Sequence, residues 1–121
     1  MNKYTISTVL ICTLFVVACV TSKSKITHDF PAAMAADVRE GYIKQWEKGK
    51  VLYEINCAKC HTTTVKGRTI VPDFTENQLV GYTLRVTNQK HEAALTDESV
   101  SEEELGQIMT FLTYKKKNKV K

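Results

Sequence analysis

The residues best suited to chemistry are Cys57-Ala58-Lys59-Cys60-His61, two cysteines two residues apart with a histidine directly after. This is the attachment pattern of a c-type haem. Each thiol adds across one vinyl group of a single porphyrin, forming two thioether bonds, and the adjoining imidazole lies beneath the iron as its proximal ligand. A bare Cys-x-x-Cys would equally suit a redox dithiol or half of a zinc site. Structural zinc takes four ligands, yet His61 adjoins Cys60, His28 and His91 are distant, and no second such cysteine pair exists. The pattern therefore predicts one covalent haem c, with Cys57 and Cys60 as thioether donors and His61 on the iron.

The elements that must position these residues are helical. The chain has 121 residues, enough for one small domain, and such a core benefits from a covalently held apolar macrocycle. Cys12 and Cys19 fall in the N-terminal segment, leaving too few cysteines for a disulfide framework. The net charge of +4 is too mild to suggest nucleic acid. A first helix is expected over residues 36–55, with Asp37 in its first turn and an apolar stripe of Val38, Tyr42, Trp46, Gly49 and Tyr53, widened by Leu52. Glycine costs helix stability, so Gly49 points to close approach by another helix. A last helix begins at Ser101, whose Glu104 three residues on makes a capping box. Leu105, Ile108, Met109 and Leu112 form its apolar face, with Phe111 alongside. Between them, residues 76–81 read as one short helix ending at Gly81.

Gly49-Lys50-Val51-Leu52-Tyr53 ahead of the Cys-x-x-Cys-His resembles the opening of small monohaem class I cytochromes c. The resemblance extends over about residues 36–114 and implies an all-α fold in which the N- and C-terminal helices cross over the haem. It implies that Ile108 and Phe111 pack on Gly49. Pro72-Asp73-Phe74 looks like the family's Gly-Pro-Asn-Leu segment, with Val71 in place of its glycine. By that resemblance the Pro72 carbonyl would accept the Nδ1–H of His61, fixing the ring and raising the basicity of the ligating nitrogen.

One departure bears on function. The family usually binds a methionine sulfur on the far side of the iron, and no methionine lies between His61 and Ser101. The loop there carries Asn88-Gln89-Lys90-His91-Glu92, which makes His91 the leading distal candidate. Met109 is the runner-up, although its helical spacing from Leu105 and Leu112 also suits core packing. Lys90 would ligate only when deprotonated, and a vacant distal site is the remaining option. Two axial imidazoles would give a lower reduction potential than histidine with methionine.

The ends of the chain carry further signals. Residues 1–18 read as a signal peptide: Lys3 is the positive start and residues 6–17 an apolar stretch too short to span a bilayer comfortably. Val16-Val17-Ala18-Cys19 resembles the bacterial lipobox, which implies acylation at Cys19; ordinary cleavage, leaving Cys19 an incidental thiol, is the alternative. Residues 19–35 read as a lipid-anchored flexible tether, with His28 solvated and Met34 without a role. Residues 115–121, rich in lysine, read as a solvated basic tail, with docking to an acidic partner or anionic headgroups as the alternative.

These expectations describe a membrane-tethered monohaem cytochrome facing the periplasm of a bacterial envelope. It would shuttle single electrons between a donor and an acceptor protein, as a monomer or as a subunit of a respiratory complex, with no catalytic residues to assign. The alternative is a gas sensor or haem enzyme with an open distal site, for which His91 and Glu92 are the nearest acid–base groups.

Overall fold

A computed structural model describes residues 25–80, 83–86 and 88–119. The expected signal peptide, Cys19 and Gly81 lie outside these residues. Helix α1 spans Ala36–Asn56, close to the expected bounds, and carries Asp37 in its first turn, where a carboxylate favours the helix dipole. Its buried residues are Trp46, Gly49 and Tyr53. A single-turn helix α2, Ala58–His61, follows at once. A two-stranded hairpin comes next, with β1 Thr63–Val65 antiparallel to β2 Arg68–Ile70 and Thr63 opposite Ile70. A 3₁₀ turn at Glu76–Gln78 and two short helices, α3 Thr83–Val86 and α4 Gln89–Ala94, lead to α5, Glu102–Tyr114. The fold is mainly helical, as expected, with α1 packed on α5 as its principal interface.

The seam between α1 and α5 is built on Gly49. A Cβ placed there would stand 1.8 Å from the Gln107 carbonyl oxygen and 2.4 Å from its carbon. Backbone meets backbone at this point, so glycine is required by space. The expected partners Ile108 and Phe111 flank the contact and are fully buried, at 2% and 0% exposure. Trp46 and Tyr53 both pack on Phe111, with ring centroids at 5.4 Å edge-on and 5.3 Å tilted, geometries that aromatic quadrupoles favour. The Ser101 hydroxyl accepts from the Glu104 amide while the Glu104 carboxylate accepts from the Ser101 amide, completing the capping box that starts α5. Val38 does not belong to the buried stripe, being half exposed. The reason is length: α5 ends at Tyr114, whose ring meets Tyr42, and Val38 lies one turn beyond that contact.

Both ends of the described part of the chain depart from expectation. Residues 25–30 are not a free tether, and 115–119 are not a frayed tail. His28 and Lys115 form an antiparallel bridge, extended by Asp29 N–H to the Tyr114 carbonyl at 2.7 Å and Lys116 N–H to the Thr27 carbonyl at 2.8 Å. Phe30 stacks at a tilt on Tyr114, and the His28 ring meets the Trp46 ring edge-on. Lys115 is buried at 3% exposure and its ammonium pairs with Asp73. The Asp73 carboxylate also accepts from the Asn118 amide at 3.0 Å, and the Asn118 side chain donates to the Val71 carbonyl. A like-charge block is docked because its first member finds a carboxylate 42 residues earlier in the chain.

This clamp makes a testable pH dependence. Partial burial pushes the Asp73 carboxyl up, but the hydrogen bonds from Lys115 and Asn118 and the charge of Lys115 outweigh it and hold the group below its ordinary value. A depressed carboxylate contributes stability above its unfolded pKa, near 4, and loses it as pH falls through the folded value. Asp73→Asn is therefore expected to cost about 1–2 kcal/mol at neutral pH, since Asp73 is partly solvated. Urea midpoints of the two proteins, measured down a pH series, should converge in acid. A constant gap across the series would contradict the ion-pair origin of the effect.

Candidate functional site

The last turn of α1 runs into Cys57, whose N–H bonds the Tyr53 carbonyl at 2.9 Å. The single turn of α2 then places Cys60 and His61 three and four residues on, so both return to the face that bears Cys57. All three line one cavity of about 250 Å³. Its walls are mainly apolar: Tyr53 from α1, Leu105, Ile108 and Leu112 from α5, and Phe74, Leu79, Leu84 and Leu95 from the intervening segments. Phe74 meets the His61 ring edge-on, with centroids 5.9 Å apart. Tyr53 donates or accepts one hydrogen bond with the Thr62 hydroxyl at 3.2 Å, and burial first, then the neighbouring Cys57, pushes its phenol above the usual range against that hydrogen bond.

Across the cavity stands His91, on a short helix where a loop was expected. The Asn88 side chain caps α4 by accepting from the Lys90 amide at 2.9 Å. His91 Nδ1 lies 2.9 Å from the Leu84 carbonyl oxygen of α3. A carbonyl only accepts, so Nδ1 carries the proton and the lone pair is on Nε2. That Nε2 faces the Nε2 of His61 at 3.4 Å, with the ring centroids 5.6 Å apart. Arg85 of α3 steadies this arrangement by pairing with Asp97 and donating to the Val100 carbonyl.

The two imidazole nitrogens face each other across the cavity within hydrogen-bond reach. Among the described residues no three His, Cys, Asp or Glu side chains gather as a cage for a free metal ion. The apolar walls and two unpaired thiols suit a covalently held apolar group. The thiols do not suit a redox dithiol. Burial, with a smaller push from Cys60, raises the Cys57 thiol to about 11, whereas redox-active Cys-x-x-Cys pairs carry a lowered value.

The other candidates fall differently. Met109 is not among the residues lining the cavity and packs against the core instead. Lys90 reaches the cavity wall from an exposed position. Pro72 is half buried beside the buried Val71, and among the described residues no hydrogen bond joins its carbonyl to His61. The reading from residues missed Leu84, which acts through a main-chain carbonyl that no side-chain pattern marks. It also missed the hairpin, although a run of Thr and Val, then Lys66-Gly67, then Thr and Ile is a recognisable signal. Lys66 and Gly67 both adopt positive φ, 49° and 73°, as a two-residue turn of this kind needs.

The profile of one protein family, described as cytochrome c, matches residues 46–116. That range includes both thiols, His61, Pro72, His91 and the whole of α5. No curated protein and no solved structure matches the chain.

Proposed function

Because the chain belongs to the cytochrome c family, we propose that it is a membrane-tethered monohaem carrier passing single electrons between two redox proteins. Membership implies one covalently bound haem c and electron transfer as its use. The haem supplies a reversible one-electron ferric/ferrous couple. Cys57 and Cys60 hold it through thioethers, and His61 is its proximal ligand. His91 is the distal ligand. The Leu84 carbonyl fixes its tautomer and ring direction, and such a partner raises the basicity of the ligating nitrogen.

The single observation carrying this reading is the convergence of the two Nε2 atoms at 3.4 Å. A gas sensor or haem enzyme needs an open distal face, and His91 stands on that face. Tyr53, Leu105, Ile108 and Leu112 give the cavity a mainly apolar wall, which limits the reorganisation that accompanies a change of charge at its centre. Acylation of Cys19 supplies the tether. Among the described residues no helix is long and apolar enough to cross a membrane. The domain would then sit on the periplasmic side of a bacterial membrane, alone or as a subunit of a respiratory complex.

Anaerobic potentiometric titration of the holoprotein tests the carrier. A single reversible one-electron wave is expected, below the range of methionine-ligated relatives. Exchanging the distal imidazole for a thioether by His91→Met should raise that potential while leaving the ferrous protein six-coordinate. An unchanged potential would remove His91 from the iron. Mass spectrometry of the protein isolated from membranes tests the tether: diacylglyceryl mass on an N-terminal Cys19 is expected, and an unmodified cysteine would refute it.

A further inference from the structure

We propose that a basic groove at the joined chain ends is the face by which the protein lies on anionic lipid headgroups. The groove, of about 660 Å³, runs between the β1–β2 hairpin and the paired segments at residues 25–27 and 115–119. Lys25, Lys66, Arg68, Lys116, Lys117 and Lys119 all line it and are exposed. No carboxylate lines it, and among the described residues none of these six cations has an ion-pair partner. Lys115 is excluded from the set because its ammonium is committed to Asp73.

Three features bring these cations together, and a solvated tail would supply none of them. The Asp73–Lys115–Asn118 clamp holds the tail down. The bridge at His28 and Lys115 lays Lys25 beside it. The positive-φ turn at Lys66-Gly67 swings the hairpin cations to the opposite wall. The occupant follows from where the chain leads. Only five residues lie between Cys19 and Lys25, a reach of at most about 22 Å over six Cα steps when fully extended. Resting on the acylated-Cys19 reading above, the groove is therefore held within that distance of the bilayer, where each cation gains from a negative surface potential that decays over a Debye length. The groove shares no lining residue with the cavity that holds His61 and His91.

Lysine acetylation read by mass spectrometry tests the proposal on the haem-loaded protein as isolated, reconstituted into vesicles. One set is phosphatidylcholine, the other phosphatidylcholine with phosphatidylglycerol. On the anionic vesicles Lys25, Lys66, Lys116, Lys117 and Lys119 are expected to react at least about fivefold more slowly, with Lys48 on α1 unchanged. Molar salt should abolish the difference. Lys66→Gln with Arg68→Gln should return the labelling of the remaining lysines most of the way to that on phosphatidylcholine. Equal labelling on both vesicles, with the protein floating on both, overturns the groove proposal and leaves the lipid anchor standing. Flotation on anionic vesicles alone, with protection, sustains the groove and refutes the anchor. Protection by polyglutamate but by neither vesicle would overturn the proposal in favour of an acidic protein surface.

Discussion

Gly49→Ala is expected to unfold the domain at a temperature at least about 10 °C below the unsubstituted protein. The added methyl would overlap the Gln107 carbonyl group at 1.8 Å from its oxygen and 2.4 Å from its carbon. Those atoms belong to the α5 backbone and cannot swing aside as a side chain would. The helices must part, and the seam holding Trp46, Tyr53, Ile108 and Phe111 opens with them. Overpacking a well-filled core costs about 1–3 kcal/mol, more when rigid backbone is the obstacle. About 3 kcal/mol corresponds to roughly 12–24 °C for a domain of this size, against a total stability of about 5–15 kcal/mol. Gly41 provides the control: it is exposed on the same helix, with nothing within 4 Å of a built Cβ. Gly41→Ala should be neutral or stabilising by up to about 1 kcal/mol. Circular dichroism melts of the three holoproteins decide the matter. Equal small shifts for both substitutions would mean that close approach at Gly49 does not hold the helices together.

The second large effect is at the distal position. His91→Ala should convert the ferric protein from low-spin to high-spin almost completely, because the His91 ring nitrogen is the group that faces His61 across the cavity. Met109 is turned into the core. Lys90 is exposed and only reaches the cavity wall. Added imidazole should restore the low-spin spectrum by entering the space the side chain leaves. That rescue separates ligation from a merely structural role, since lost packing would not be mended by a free ring. The accompanying loss of the Nδ1–H bond to Leu84 should cost only about 1 kcal/mol, so the variant should fold. A low-spin spectrum persisting in His91→Ala would assign the sixth ligand elsewhere.

What the amino-acid sequence discloses here is what short-range chemistry determines. The Cys-x-x-Cys-His spacing, the Ser101–Glu104 box and the glycine in the α1 stripe each encode a local geometry, and each appears where the residues place it. Val38 shows the limit of periodicity: a stripe says which face is apolar, not where the partner helix ends. The lysine tail shows a different limit. Its docking depends on Asp73, and on Phe30 reaching Tyr114 from the other chain end, pairings that no window of sequence contains. Phe30 and Ile26 were the available hint, since two apolar side chains are out of place in a solvated linker, and both pack against the core. His91 was found by elimination of methionine, but its helix, its cap and the Leu84 carbonyl that sets its tautomer come from three segments meeting in space.

The most direct test of the account is the optical spectrum of the dithionite-reduced holoprotein before and after carbon monoxide is added. A firmly held His91 predicts a sharp low-spin c-type spectrum that carbon monoxide leaves unchanged. A high-spin spectrum, or prompt formation of a carbonyl adduct, would contradict two filled axial positions and make the protein a sensor or enzyme.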